Sequence, residues 1–461
     1  MGPTTLRRRL LNGLGALFYG QALIIVIQLA GVPILLYAWG PRLYGEWLLL
    51  FTIPSYLSMA DLGFSQSAAN DMAARYARGD SSGALAVFQS LTILVYSTAA
   101  LCLLIVLPSC WLLPIRHWLH INGLSARDIN WILTLLAVEV VVKLADGVSH
   151  AGFRSHGEYG FHVALSYTTL LLQFSALWIV ALAGGGLISA AAAFALIRVA
   201  ATPAVTAWLF HRHSNLLFGV SQANRVTLFA LARPALANIT MPLALALNIQ
   251  GMVLLVGATQ GPLEVVTFVT LRTLTRLISQ TAWKVSHAFE PELATAWGMH
   301  DVKFTRSLYE HSLRAAFWVA VPACIGLLLF GPWILRIWTH GHVKMNFPLY
   351  FWLILSAMLS AIWYAALNLL KSANVHLRAA VWYVLCAIGG LVLAAALLQK
   401  TSILSNVGLA LVVADLIMFI YLWRAVTAML EMPLLELTRA MIDFRPLIRL
   451  IAERRVFHAT R

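Results

Sequence analysis

Charge is scarce in this 461-residue chain, where 11% of residues are charged and 61% are hydrophobic, with a mean hydropathy of +0.81. A soluble domain carries roughly 25% charged residues, so an ordinary water-solvated core is excluded and lipid must solvate most of the chain. Acidic residues are the scarcer class, 18 against 32 basic ones, which leaves a formal charge of +14. In a soluble protein that excess would point to nucleic acid. Here the basic residues fall mostly in loops between apolar runs, facing the anionic cytoplasmic leaflet, so membrane lipid is the expected partner and nucleic acid is not. Cysteine is equally sparse. Cys102, Cys110, Cys324 and Cys386 lie in or at the end of apolar runs without CxxC spacing, and they read as small hydrophobes rather than a disulfide framework or metal site.

Long polar loops are missing too. The longest candidate outer loops, 114–128 and 336–346, hold 15 and 11 residues, too few for an extracytoplasmic domain. Among the 14 histidines, His211-Arg-His213 and His340-Gly-His342 are the closest approaches to a motif, and neither has metal-site spacing. No catalytic constellation emerges, so the chain is read as a non-enzyme without a cofactor.

What the sequence does contain is a series of apolar runs of spanning length. They lie near 11–38, 47–69, 86–113, 129–153, 160–183 and 186–210, then near 228–258, 263–286, 309–333, 347–370, 378–398 and 403–423. The first follows Arg7, Arg8 and Arg9 and has no convincing cleavage site, so it is expected to remain as a span. With the N-terminus inside, 19 Lys and Arg fall in cytoplasmic segments against six outside, which orients both termini to the cytoplasm. Prolines recur inside the runs, at Pro33, Pro54, Pro108, Pro203, Pro242 and Pro322, where each permits a kink. From Trp423 onward the tail mixes apolar and basic residues and reads as an interfacial amphipathic helix.

The two halves echo each other. Gly40-Pro41 and Asp80 recur as Gly261-Pro262 and Asp301 at one offset of 221, and Arg154-Ser155 recurs as Lys371-Ser372 at 217. Together with six runs per half, these matches favour two parallel six-helix repeats, 1–220 and 221–423, followed by a cytoplasmic tail 424–461.

Intramembrane charge is concentrated in two runs. In the eighth, Arg272, Arg276, Gln280 and Lys284 are four apart and share one helical stripe. Two arginines at about 2.5–3.5 kcal/mol each would cost roughly 5–7 kcal/mol against lipid. The stripe must therefore meet water, an anion, or a carboxylate supplied by Asp61, Glu139, Asp146 or Asp415. In the fourth run Glu139, Lys143 and Asp146 follow i, i+4, i+7 spacing, and internal neutralisation is the simpler reading, with a proton or sodium relay as the functional one. Asp61 and Asp415 are lone acids and weaker candidates for the same coupling role. Arg198, Arg233 and Arg314, near the ends of runs, read as leaflet anchors, and Lys284 could also snorkel.

Several short segments resemble a known family. Tyr44-Gly45-Glu-Trp47, Asp61-Leu62-Gly63-Phe64, the turn Ala-Gly-Phe-Arg154-Ser-His-Gly-Glu-Tyr-Gly160, and Leu367-Asn-Leu-Leu-Lys371-Ser-Ala-Asn374 look like the polysaccharide transporters of the multidrug/oligosaccharidyl-lipid/polysaccharide (MOP) exporter superfamily. Their Wzx-type O-antigen flippases are the nearest match. The resemblance implies an all-α polytopic fold of about twelve helices in two six-helix lobes around a central cavity. It also implies a bacterial inner-membrane location, an undecaprenyl diphosphate-linked oligosaccharide as substrate, and coupling to H+ or Na+. Polysaccharide polymerase and glycosyltransferases would be neighbours in the same biosynthesis. Arg272 and Arg276 would then meet the diphosphate or acidic sugars. The competing readings are a cation-coupled multidrug exporter of the same superfamily, a membrane glycosyltransferase, polymerase or ligase, and a transport-incompetent scaffold.

The even span count and the charge bias place both ends on one side. Reporter fusions after residue 424 should show cytoplasmic activity only; extracytoplasmic activity would overturn the orientation and the helix count together.

Overall fold

The computed structural model describes residues 3–57, 63–230 and 240–444, with side chains from residue 15 on apart from residue 17. Asp61, Arg233 and the tail from residue 445 lie outside the described residues. Among the described residues there is no strand. The helices run as α1 (Pro3–Ser55), α2 (Phe64–Ala77), α3 (Ser81–Leu112), α4 (Ile115–Trp118), α5 (Ala126–Ser155), α6 (Tyr159–Leu182), α7 (Leu187–Arg212), α8 (Thr240–Gln260, with a π turn at Leu247–Gly251), α9 (Pro262–His287), α10 (Glu290–Gly298), α11 (Val302–Trp338), α12 (Phe347–Ser372), α13 (Leu377–Thr401), α14 (Ser405–Met429) and α15 (Leu434–Ile442).

Nine described helices are long and apolar enough to cross a bilayer. α5 and α9, at 30 and 26 residues, match them in length but carry the intramembrane charges. α1 contains a break at Gly40, whose φ of 69° and ψ of 172° are not helical. Its two parts, before and after the break, are separate helices, and counted this way the described helices supply the twelve spans expected.

One expected span is not continuous. Within the run 47–69, α1 ends at Ser55 and α2 begins at Phe64, after Gly63 in the left-handed region, with residues 58–62 outside the described ones. Pro54 removes a backbone donor near the stop, and the hydroxyls of Thr52 and Ser55 turn back onto the carbonyls of Leu48 and Thr52.

The chain forms two compact units, Met1–Val266 and Thr267–Arg461. In the first, α1 packs on α6, and α5 packs on α3 and α7. Phe64, Met72, Phe88, Leu91, Phe153 and Leu209 form one buried cluster there. In the second, α12 is buried along most of its length and packs on α14. α11 has 37 residues, so at 1.5 Å per residue it runs about 55 Å, well beyond a ~30 Å hydrocarbon core. Near its start Arg306 pairs with Glu310 at 3.2 Å and with Glu436 of α15. Arg314, expected to be a leaflet anchor, is buried and donates from Nε to the Ala440 carbonyl at 3.0 Å, satisfying an acceptor in the last turn of α15.

The sequence repeat has a backbone counterpart. Gly261 precedes Pro262 with φ 85° and ψ 177°, close to the values of Gly40 before Pro41. Asp80 caps α3 by accepting from Gly83 N, and Asp301 caps α11 by accepting from Phe304 N. α5 ends at Ser155 and α12 at Ser372, followed by positive φ at Gly157 and Asn374, again 217 apart.

At Gly40 and Gly261 an added Cβ would meet nothing within 4 Å, yet positive φ with extended ψ is essentially closed to L side chains. Gly40→Ala and Gly261→Ala should therefore each lower stability by about 1–3 kcal/mol. Gly326→Ala, inside α11 and equally open, should be neutral or stabilising by up to about 1 kcal/mol. Thermal unfolding of purified protein in detergent measures all three, and unchanged melting of both break variants would contradict the assignment.

Candidate functional site

The arginine stripe lies on α9, in the part belonging to the second unit. Helical spacing puts Arg272, Arg276, Gln280 and Lys284 on one face, and their environments grade along it. Arg272 is buried, and its guanidinium lies 5.3 Å from the Phe268 ring one turn earlier. It is also within electrostatic range of Asp415 and Tyr383. Asp415, on α14, is itself buried and accepts from Ser356 Oγ at 2.5 Å and Trp363 Nε1 at 3.1 Å, both on α12. The acid therefore has two donors of its own as well as a nearby cation, as a buried carboxylate requires.

Arg276 differs. It is half-buried, and among the described residues its guanidinium makes no hydrogen bond or ion pair; its side chain faces Tyr383 and feels the like charge of Arg272. One turn on, Gln280 Oε1 is buried without a hydrogen-bond partner among the described residues. Lys284 is exposed near the end of the helix. Among the described residues the stripe thus runs from a partnered, buried cation to an unpartnered one, then to an unsatisfied acceptor and an exposed ammonium. Such a set can grip an anion carrying hydroxyl or amide donors.

The acids of the first unit draw on donors from neighbouring helices. Glu139 is buried and accepts from Gln173 Nε2 at 2.8 Å and Arg198 Nε at 3.4 Å. Arg198 Nη2 closes the set by donating to Gln173 Oε1 at 2.7 Å. Arg198 is therefore a buried ion-pair partner joining α7 to α5, not a leaflet anchor. Asp146 accepts from Ser166 Oγ and contacts His162 Nε2, both at 3.3 Å. Across-helix donors from α6 and α7 thus reach both acids of this face. Lys143 lines two cavities. One, of about 330 Å³, also meets Asp146, His150, His162 and Tyr159; the other, of about 210 Å³, meets Glu139, Phe51 and Phe174.

Gln173, His162, Ser166, Ser356 and Trp363 were not singled out from the sequence. A lone amide in the apolar run of α6 was the available signal for Gln173. The hydroxyl and aromatic partners gave none, being ordinary membrane-helix residues. No cluster of three or more His, Cys, Asp or Glu able to hold a metal occurs among the described residues.

No family model and no curated protein matches this chain. Solved structures do. A multidrug resistance MATE family transporter of the MOP superfamily in an inward-facing conformation is 15% identical, with a TM-score of 0.74 over 88% of this chain and 96% of that one. An outward-facing MATE family transporter of the same superfamily is 17% identical, with a TM-score of 0.61 over 92% and 96%. A MOP superfamily transporter from Pyrococcus furiosus, described as having a binding pocket of reversed polarity, is 15% identical with a TM-score of 0.54 over 92% and 95%. These likenesses establish the fold: an all-α, multi-pass membrane protein built like the MATE transporters of the MOP superfamily.

Removing one member of a buried ion pair strands the other. Arg198→Met should destabilise the protein by about 3–5 kcal/mol. The double variant with Glu139→Leu should recover most of that loss, which detergent unfolding of the single and double variants would measure. A single variant that melts like the parent would show that the pair carries no such constraint.

Proposed function

We propose that the chain is a flippase that moves an undecaprenyl diphosphate-linked oligosaccharide across the bacterial inner membrane by alternating access, for cell-surface polysaccharide synthesis. The observation that carries this reading is the Arg276 guanidinium, half-buried in a spanning helix without hydrogen bond or ion pair among the described residues. An intramembrane arginine costs about 2.5–3.5 kcal/mol unless something compensates it. A diphosphate does so with two parallel acceptors matching the guanidinium fork. Arg272 reinforces the positive potential from one turn away, Gln280 Oε1 can accept from a sugar hydroxyl, and Lys284 extends the path toward the helix end.

A cation-coupled multidrug exporter has the support of the MATE neighbours' names. The charge of the stripe weighs against it, because a cationic drug would be repelled where an anion is attracted. The reversed pocket polarity ascribed to the P. furiosus protein is a precedent within the fold for such a change of sign. Coupling to H+ or Na+ is assigned to Asp146, which contacts His162 and shares a cavity with Lys143 and His150. Glu139 and Asp415 hold donors firmly enough to act as structural acids instead. Both termini are placed in the cytoplasm, beside the glycosyltransferases and polymerase that make and use the substrate.

Arg276→Gln should cut polysaccharide export by at least tenfold while leaving protein level and melting temperature near those of the parent. Arg276→Lys should restore part of it, since a point charge replaces the fork. An Arg276→Gln protein with full export would sink the proposal.

A further inference from the structure

Two fully buried polar residues face each other's work on α3. Gln89 and Ser90 lie within a hydrophobic cluster, with no role in the ion-pair network of α5 to α7. Their partners are the segment that leaves α7 and leads to the helices after residue 224. Gln89 Nε2 donates to the Leu217 carbonyl at 3.2 Å, and its Oε1 accepts from Gln222 N at 2.7 Å. Ser90 Oγ accepts from Asn224 N at 3.2 Å. A single amide thus grips the segment on both sides of its turn, as a strand would. Leu216 is buried in the same cluster, and Phe218 packs edge-on against Tyr96 and Phe210.

The start of the segment is held by titratable groups. His213 contacts Glu158 at 3.2 Å, and Arg212 pairs with the same carboxylate at 2.9 Å. The His213 ring stacks on His156 with centroids 4.0 Å apart. Asn215 Nδ2 donates to Tyr76 OH at 3.1 Å and to His156 Nε2 at 3.2 Å. On its other side, His156 Nδ1 donates to the Gly152 carbonyl at 2.9 Å. These partners assign the neutral ring, with its proton on Nδ1 and a lone pair toward Asn215. The remaining charged group nearby, Arg154, is turned away onto Asn70 and the Tyr159 ring.

We propose that residues 213–224 are a releasable strap, held on the first unit by the Gln89 clip and the His156, His213 and Glu158 latch, and let go when His156 takes up a proton. A second proton on His156 would face the Asn215 donor and sit on a ring stacked 4.0 Å from that of His213. Burial, and then the His213 charge, hold the His156 ring below its ordinary range, while Arg212 and His213 overcome burial to hold Glu158 below the usual carboxylate range. A histidine depressed in the closed state favours closure fully above the free value near 6.5, and that contribution is lost as pH falls through it. Glu158 stays ionised across this window, so His156 sets it. Twelve residues set free could span up to about 40 Å, lengthening the connection that follows α7. This device is independent of what the stripe on α9 binds.

Hydrogen exchange of the full-length protein in lipid nanodiscs, at pH 7.5 and 5.0 with rates corrected for intrinsic exchange, tests it. Protection of peptides within 213–224 should fall at least tenfold at the lower pH while α12 peptides stay protected. His156→Gln, which cannot titrate, should abolish that fall. Asn215→Asp, at an exposed position, supplies an acceptor for the protonated ring and should keep the strap protected at pH 5.0. Gln89→Leu should leave it unprotected at both. Equal protection of the parent at the two pH values, or a fall that persists in His156→Gln and Asn215→Asp alike, would overturn the latch; full protection in Gln89→Leu would overturn the clip.

Discussion

A charge in hydrocarbon must be compensated, and most of the polar architecture of this chain follows from how each one is. Glu139 has Arg198 and Gln173; Asp415 has Ser356, Trp363 and the nearby Arg272; Asp146 has His162 and Ser166. Each set ties two or three helices together, so the cost of burying charge becomes a specification of which helices are neighbours and in what register. Against that background Arg276 stands apart, because the compensation given to the other intramembrane charges is not supplied to it by the described residues. Among the described residues the next amide oxygen on the same face, Gln280 Oε1, also lacks a hydrogen-bond partner, and the proposed anion site rests on that pairing.

The helix breaks carry a second constraint. Gly40-Pro41 and Gly261-Pro262 do the same local work, since a glycine takes a backbone conformation closed to other residues and a proline starts the next helix at once. The same economy reappears in the aspartate caps of α3 and α11. Motion of helices about such joints is a general feature of transporters, and here the joints are fixed by two residues in each case.

Much of this was legible in the sequence. Hydropathy located most of the spans, because length and apolarity are set by the bilayer and not by neighbours. The Gly-Pro and aspartate matches were readable for a similar reason, their effects being local to three or four residues. The i, i+4 stripe of α9 was readable from helical geometry. What could not be read was which residue answers which across helices. Arg198 looked like an anchor and not like a partner of Glu139, because spacing along one helix is visible and packing between helices is not. The left-handed turn at Gly63 was hidden for the opposite reason: the residues around it are apolar enough to extend a span. Gln89 and Ser90 could be seen as polar residues in an apolar run, but the segment they grip lies more than a hundred residues away.

Anion recognition by Arg276 can be measured without any transport assay. Binding of a radiolabelled polyprenyl diphosphate carrying a sugar, to the purified protein in detergent, can be compared with binding of the uncharged polyprenol, at low and high salt. Saturable binding of the diphosphate alone, weakened by salt and reduced at least tenfold in Arg276→Gln with the protein still folded, is the expected result. Equal binding of the charged and uncharged lipids, or undiminished diphosphate binding by the Arg276→Gln protein, would contradict it.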